Sequence, residues 1–226
     1  MRIGLVLNIL DEQYQISIYE GIKNRVKELG IELICMQEEF ACVTSNLFSK
    51  SDHKLNFFNL DGIILLTSVI ADSYIINTKA DVTKIFGDIP VVSAGEKVDG
   101  IPSVMIQTDD SMKQLVEHLI LHHNYKNFVY IGGSPKHHDS NFREDIFIKT
   151  IEAYKPWYPE LNYVIKYGLF SEHDAIQAMK DYYQENPTVN PDVIVCASDN
   201  MAIGIYKFYN MNQDNPLIKP CAVTGF

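Results

Sequence analysis

The chain has 226 residues, 46% of them apolar, and a formal net charge of −10 from 19 Lys and Arg against 29 Asp and Glu. That length and apolar content suit one large α/β domain or two small lobes with a real core. The acidic balance, with no Lys/Arg cluster, excludes nucleic-acid binding through this segment, because phosphate recognition needs a basic face. No apolar run reaches the ~18–20 residues of a membrane span, so no membrane partner is expected.

Arg2–Leu7 reads as a buried parallel strand from its continuous apolar character. Met1-Arg2 runs straight into it, which leaves no room for a signal or transit peptide and predicts a cytoplasmic location. A polar tip, Asn8–Gln15, leads to a helix with Ile18, Ile22, Val26 and Leu29 on one face, closed by Gly30. Ile31–Met36 is the next strand. Gln37–Ser51 has no strong template, and Lys54–Asn59 ends a short helix. Asp61-Gly62 turns into the buried strand Ile63–Leu66, with Thr67 and Ser68 at its carboxyl end. Tyr74–Phe86 is a predicted helix stopped by Gly87, and Ile89–Gly95 the fourth strand.

Ser103–Ile106 is a short strand, followed by a polar break and a helix carrying Met112, Leu115, Val116, Leu119 and Ile120 at helical spacing. Asp109, Asp110 or Ser111 caps it. Phe128–Ile131 is a strand ending in Gly132-Gly133, where the backbone can turn sharply and approach a ligand. A loop, Ser134–Asn141, precedes a helix from Phe142 to about Tyr154. Asn162–Tyr167 is a strand, Ser171–Tyr183 a helix, and Val193–Ala197 a strand. Ser198-Asp199-Asn200 starts the helix Met201–Tyr209, with Asp199 as its cap, and Lys219–Thr224 is the last strand.

Alternating strands and helices mean parallel sheets covered on both sides. Ligands of such sheets bind beyond the carboxyl ends of the strands. That rule selects the tips at Asn8–Tyr14, Thr67-Ser68, Gly95-Glu96, Gln107–Asp109, Gly133–Asn141 and Ser198–Asn200.

Enzymatic motifs do not form. Gly132-Gly133-Ser134 lacks the spacing of a phosphate loop, and G-x-S-x-G is missing. His118 and His122 stand four apart on one helix, a metal-pair spacing, yet no third ligand is evident and they read as surface histidines. His137-His138-Asp139 and His173-Asp174 find no further histidine to complete a hydrolase set. Cys35, Cys42, Cys196 and Cys221 show no C-x-x-C spacing and read as buried free thiols. No cofactor or metal is called for.

Several segments resemble the effector-binding domain of the LacI/GalR family. They are Asp61-Gly62-Ile63-Ile64, Ile89-Pro90-Val91-Val92, Ile101-Pro102-Ser103-Val104, Val116–Ile120 and Tyr130–Gly133. Cys196–Gly204 is similar to the family's Ala-Asn-Asp-x-Met-Ala-x-Gly, with Ser198 where Asn is usual. Pro220–Phe226 is similar to its Ile-Ala-Val-Val-Gly-Phe. The resemblance implies two Rossmann-like lobes with parallel sheets, of the type 1 periplasmic-binding-protein-like fold. It divides them at 1–106 and 107–226 and places a ligand between them. It also implies a C-terminal truncation, since the chain stops before the Asp that follows Gly-Phe in the family and before the return crossover that would complete the first lobe.

In such a domain the tip after the first strand faces the ligand, which nominates Asn8, Asp11 and Tyr14. Arg143 falls in an Arg-x-x-Gly-Phe-like pattern with Ile146 in place of Gly, and its five donors in a rigid fan suit polyols or carboxylates. Asp199 follows from the Ala-Asn-Asp-like segment, Glu96 stands where the family often has Asp or Arg, and Tyr14 or Phe170 supplies an aromatic wall. Thr67, Ser68, Gln107 and Ser134 join them from the strand-end rule. The resulting expectation is a non-enzymatic sensor domain for a sugar-like or nucleoside-like effector in a bacterial signalling protein. Its output domain would lie on the same longer chain, and a homodimer would form through the first lobe. The effector domain of a LacI/GalR transcription regulator and a transporter's solute-binding protein are the alternatives. His123-Asn124-Tyr125-Lys126-Asn127 resembles the input domains found ahead of diguanylate cyclases or histidine kinases.

Overall fold

The computed structural model describes residues 1–8, 10, 13–37, 59–70, 76–106, 109–135 and 137–226. The chain divides into two compact units, Met1–Ile106 and Gln107–Phe226. Each is an α/β unit built on its own parallel sheet.

The first unit contains β1 (Arg2–Val6), α1 (Gln13–Glu28), β2 (Glu32–Met36), β3 (Gly62–Leu66), α2 (Thr67–Ile70), α3 (Lys79–Phe86), β4 (Val91–Ala94) and β5 (Ser103–Val104). Its sheet has the order β2-β1-β3-β4-β5. The central strands are short apolar runs because helices cover both faces of a parallel sheet; Leu5, Leu65 and Leu66 are fully buried. Gly30 takes φ 65° and Ile31 N–H turns back to the Val26 carbonyl at 2.8 Å, so α1 ends where a residue without Cβ permits it.

The second unit contains α4 (Asp109–Leu121), β6 (Asn127–Gly132), α5 (His138–Tyr154), β7 (Asn162–Tyr167), α6 (Glu172–Glu185), β8 (Val193–Cys196), α7 (Asp199–Met211) and β9 (Ala222–Thr224), with sheet order β7-β6-β8-β9. All four residues of β8 are wholly buried, and Phe128, Tyr130, Phe147 and Phe208 fill the space beside them. One Asp192 carboxylate oxygen accepts from the Lys126 and Asn127 backbone N–H groups, both at 2.8 Å, and so pins the start of β6 to that of β8.

Several predicted boundaries move. The helix expected over Tyr74–Phe86 is α3, which starts at Lys79. Thr78 and Asp81 form a capping box there, with the Thr78 N–H donating to the Asp81 carboxylate at 3.0 Å. The expected loop Ser134–Asn141 is shortened, because α5 already begins at His138. His137 caps it, its Nδ1 accepting from the Ser140 N–H at 3.4 Å. The last strand is Ala222–Thr224 rather than Lys219–Thr224, and β5 stops at Val104. The predicted helix over Lys54–Asn59 lies outside the described residues, Asn59 excepted, and so does Cys42.

Candidate functional site

All strands of a parallel sheet end at the same edge, and each unit carries its candidate residues there. In the first unit β1, β3 and β4 deliver Asn8, Thr67-Ser68 and Gly95-Glu96 to one rim. Tyr14, from the first turn of α1, joins them, its hydroxyl 3.1 Å from Ser68 Oγ. Gly95 explains how this pair approaches the backbone. Its φ is +93°, and a methyl group there would overlap Ser68 and lie 3.3 Å from the Tyr14 hydroxyl.

Thr67 plays a different part from its neighbour. Its side chain is fully buried, and its hydroxyl lies 2.5 Å from Ser93 Oγ. Ser93 in turn donates to the Glu96 carbonyl at 2.5 Å, and the Thr67 hydroxyl also reaches the Leu65 carbonyl at 3.2 Å. This chain of hydroxyls ties the end of β3 to the turn after β4 and sets the course of the backbone at Glu96. The Glu96 side chain is itself buried, Asn8 is half-buried, and Tyr14 is 40% exposed. Asp11 and Gln107 lie outside the described residues.

In the second unit the rim is formed after β6, β7, β8 and β9. Arg143 reaches it from α5. Its Nη1 donates to the Ala197 carbonyl at 2.7 Å and its Nη2 to Asp139 at 3.2 Å, while the guanidinium lies over the Phe226 ring at 5.0 Å. The Arg143 Nε is buried and meets no hydrogen-bond partner among the described residues. Three contacts thus hold the plane of the guanidinium at the ends of β8 and β9, and the buried Nε–H is left over as a donor.

Asp199 does not cap α7 as the sequence reading has it. Ser198 does, in an extended conformation, with its hydroxyl accepting from the Met201 N–H at 3.4 Å. The serine reaches the third residue of the helix, which leaves Asp199 as an exposed first-turn carboxylate. It lies so close to Gly225 that any Cβ at that position would overlap it.

Phe170 is half-buried and follows Leu169, and both have positive φ, 61° and 47°. Such backbone strain in residues with side chains clusters at functional sites. The Phe170 ring lies on Gly133, where a Cβ would run into it, and meets the His137 ring edge-on at 5.1 Å. The predicted close approach at Gly132-Gly133 is therefore filled from within the chain. Gly133 admits the Phe170 ring, and Gly132 admits Tyr167 and Glu144. Ser134 is half-buried and its carbonyl accepts from the His137 N–H at 3.0 Å.

Ser93 and Phe226 were not nominated as ligand contacts by sequence reasoning; Ser198 entered only as part of a strand-end tip, and Asp139 only within another tip and in the His137-His138-Asp139 set. Asp139 had a readable signal, since it stands one helical turn before Arg143. Glu144, beside Arg143, accepts from the Tyr167 hydroxyl at 3.3 Å, and burial raises its carboxyl above the ordinary glutamate range. Burial likewise pushes the Cys196 thiol up, and the Cys221 thiol to about 11, so both are poor nucleophiles at neutral pH. Among the described residues no group of three or more His, Cys, Asp or Glu side chains is placed to enclose a metal ion, and no helix is long and apolar enough to cross a membrane.

Comparison with known proteins adds three findings. The family described as periplasmic binding protein domain matches residues 106–226. Catabolite control protein A of Staphylococcus xylosus is 27% identical over 187 residues, 78% of this chain and 52% of that protein. The chain thus spans about half the length of this curated relative. Among solved structures, a Caulobacter myo-inositol binding protein bound to myo-inositol superposes with a TM-score of 0.72 at 16% identity, over 100% of this chain and 74% of that one. The lactose repressor bound to the anti-inducer ONPF gives 0.69 at 16% identity, over 94% and 74%. At such identities the structures establish a shared fold.

Proposed function

The chain belongs to the periplasmic binding protein domain family, and on that premise we propose that it is a LacI/GalR-type, non-enzymatic sensor domain for a small polyhydroxylated effector. The observation that carries this is Arg143. A guanidinium held in plane by Ala197, Asp139 and Phe226 is preorganised, so little entropy remains to be lost when it meets a ligand hydroxyl or carboxylate. Asp199 on the same rim supplies an acceptor, and Phe170 an apolar face of the kind that stacks on a sugar ring. Asn8, Tyr14, Ser68 and Glu96 make the rim of the first unit polar in the same way. Ser134 is proposed as a further polar contact, with Thr67 supporting the rim from beneath.

The sensor hands its signal to an output domain on a longer chain through a shift between conformations, driven only by the ligand's differential affinity for one of them. Calorimetric and thermal-shift titration of the chain with myo-inositol, aldohexoses, nucleosides and amino acids tests this. A single polyol or nucleoside that saturates, and whose affinity falls at least about tenfold in Arg143→Ala and Asp199→Ala, is the expected result. No shift with saturating members of any class refutes it.

A second reading is favoured by the relationship to catabolite control protein A: the same domain as the effector-binding part of a transcription regulator. In that reading the charge of −10 argues for DNA contact through another part of the longer protein. Footprinting with the whole protein, with and without the ligand so identified, separates the two.

A further inference from the structure

Before β6 begins, at the edge of the second sheet opposite its rim, and with no part in the reading above, three histidines gather where α4 ends. His118 and His122 are one turn apart, with ring centroids at 4.9 Å. His123 lies beyond the helix, yet its Nε2 is 3.1 Å from His118 Nε2. The turn explains the meeting. Asn124 adopts φ 54°, and Tyr125 N–H returns to the Leu119 carbonyl at 3.2 Å. The Tyr125 ring stacks on that of His123 with an interplanar angle of 13°. Lys126 and Asn127, next in the chain, are fixed by Asp192. The turn is thus held from both sides, and it brings His123 back over the helix.

We propose that His118 and His123 form a chelating site for a borderline divalent transition-metal ion such as Zn2+. Two imidazole nitrogens bound to one tetrahedral zinc at about 2.0–2.1 Å stand about 3.3 Å apart. The observed spacing is within a small ring adjustment of that value, and both rings are exposed and able to make it. In the metal-free arrangement one nitrogen must donate its proton to the other. A metal ion replaces that proton and coordinates both lone pairs. The site also lies at the carboxyl end of a helix, where unsatisfied carbonyls favour positive charge. The commitment is to the non-local pair. His122, at ordinary helical spacing from His118, flanks the site without being a required ligand.

The test is calorimetric titration of the tag-free chain with zinc chloride, alongside the same titration of His118→Gln, His123→Gln, His122→Gln and His173→Gln. One zinc per chain is expected. Its affinity should fall at least about tenfold in the first two variants and stay near that of the parent chain in the other two. Zinc should also raise the midpoint of thermal unfolding in the parent chain, reversibly with EDTA, and not in His118→Gln. The four side chains are exposed, so matching far-UV circular dichroism is expected throughout. Absence of saturable zinc binding overturns the proposal. So does binding that survives His123→Gln while His122→Gln abolishes it, because the ligands would then be a simple helical pair.

Discussion

Replacing Tyr130 with Phe should stabilise the protein, against the usual direction of point substitutions. Tyr130 is fully buried in β6, and among the described residues its hydroxyl meets no hydrogen-bond partner. Burial also pushes its ionisation well above the ordinary tyrosine range, so the group stays a neutral hydroxyl at any working pH. The unfolded chain hydrates that hydroxyl, and the folded chain leaves it unsatisfied at a cost of about 1–3 kcal/mol. Phenylalanine removes the cost while keeping the ring, including its stack on Phe147 at 4.7 Å between centroids. Against the gain stands the loss of one oxygen atom's dispersion contacts, at ~0.1–0.2 kcal/mol for each neighbouring atom. The balance is about 1 kcal/mol in favour of Tyr130→Phe, or a rise of roughly 2–4 °C in the unfolding midpoint for a chain of this size. Urea titration followed by circular dichroism and differential scanning calorimetry would both read it. A loss of about 1 kcal/mol or more refutes the reasoning, because it would mean that the hydroxyl is hydrogen-bonded in solution.

Three further outcomes follow from the two rims. Ser198→Ala should cost about 1 kcal/mol through the lost cap of α7, as measured by urea midpoint, and Asp199→Ala clearly less; the reverse ranking would return the cap to Asp199. Gly95→Ala should cost more than about 1 kcal/mol, since it combines a positive φ with an overlap on Ser68, and a midpoint equal to that of the parent chain would show that the Tyr14–Ser68 contact is not tight. Glu144→Gln should steepen the rise of stability from acid to neutral pH. Burial raises the folded-state pKa of Glu144 above its ordinary value of 4.5, so the native state holds the proton more tightly than the unfolded state. Its contribution is therefore fully present below the unfolded value and lost as pH rises through the folded one. Thermal midpoints of the two proteins should converge toward low pH relative to their difference at neutral pH, with the variant the more stable at neutrality, and parallel profiles would contradict this.

How much of this was readable from sequence depends on the range over which each feature is encoded. The parallel strands were legible because a strand covered on both faces must be apolar at every position, as in the fully buried Val193–Cys196. The rim was legible for a related reason, since parallel strands all end at one edge and the residues after them must gather there. The start of α3 was written locally, in Thr78 and Asp81, but the apolar residues before it masked the capping box. The start of α5 was not, because a histidine ring caps it in place of a hydroxyl or carboxylate.

Contacts that cross the sheet lay beyond sequence reading altogether. Thr67 meets Ser93 because β3 pairs with β4, and Arg143 meets both Ala197 and Phe226 because β9 lies beside β8. His118 and His123 show the same limit at short range, since spacing rules count along a helix and this pair is closed by the turn that ends one. The candidate rims depend on such closures throughout. Gly95 seats Tyr14 and Ser68, Gly133 seats Phe170, and Gly225 seats Asp199, each by having no side chain of its own. A substitution at any of these glycines would overlap a proposed ligand contact and move it, and at Gly95, with its φ of +93°, it would strain the backbone as well. Binding and stability should therefore fall together there, whereas Arg143→Lys, which keeps the charge and loses the planar fan, should separate them by weakening binding far more than folding.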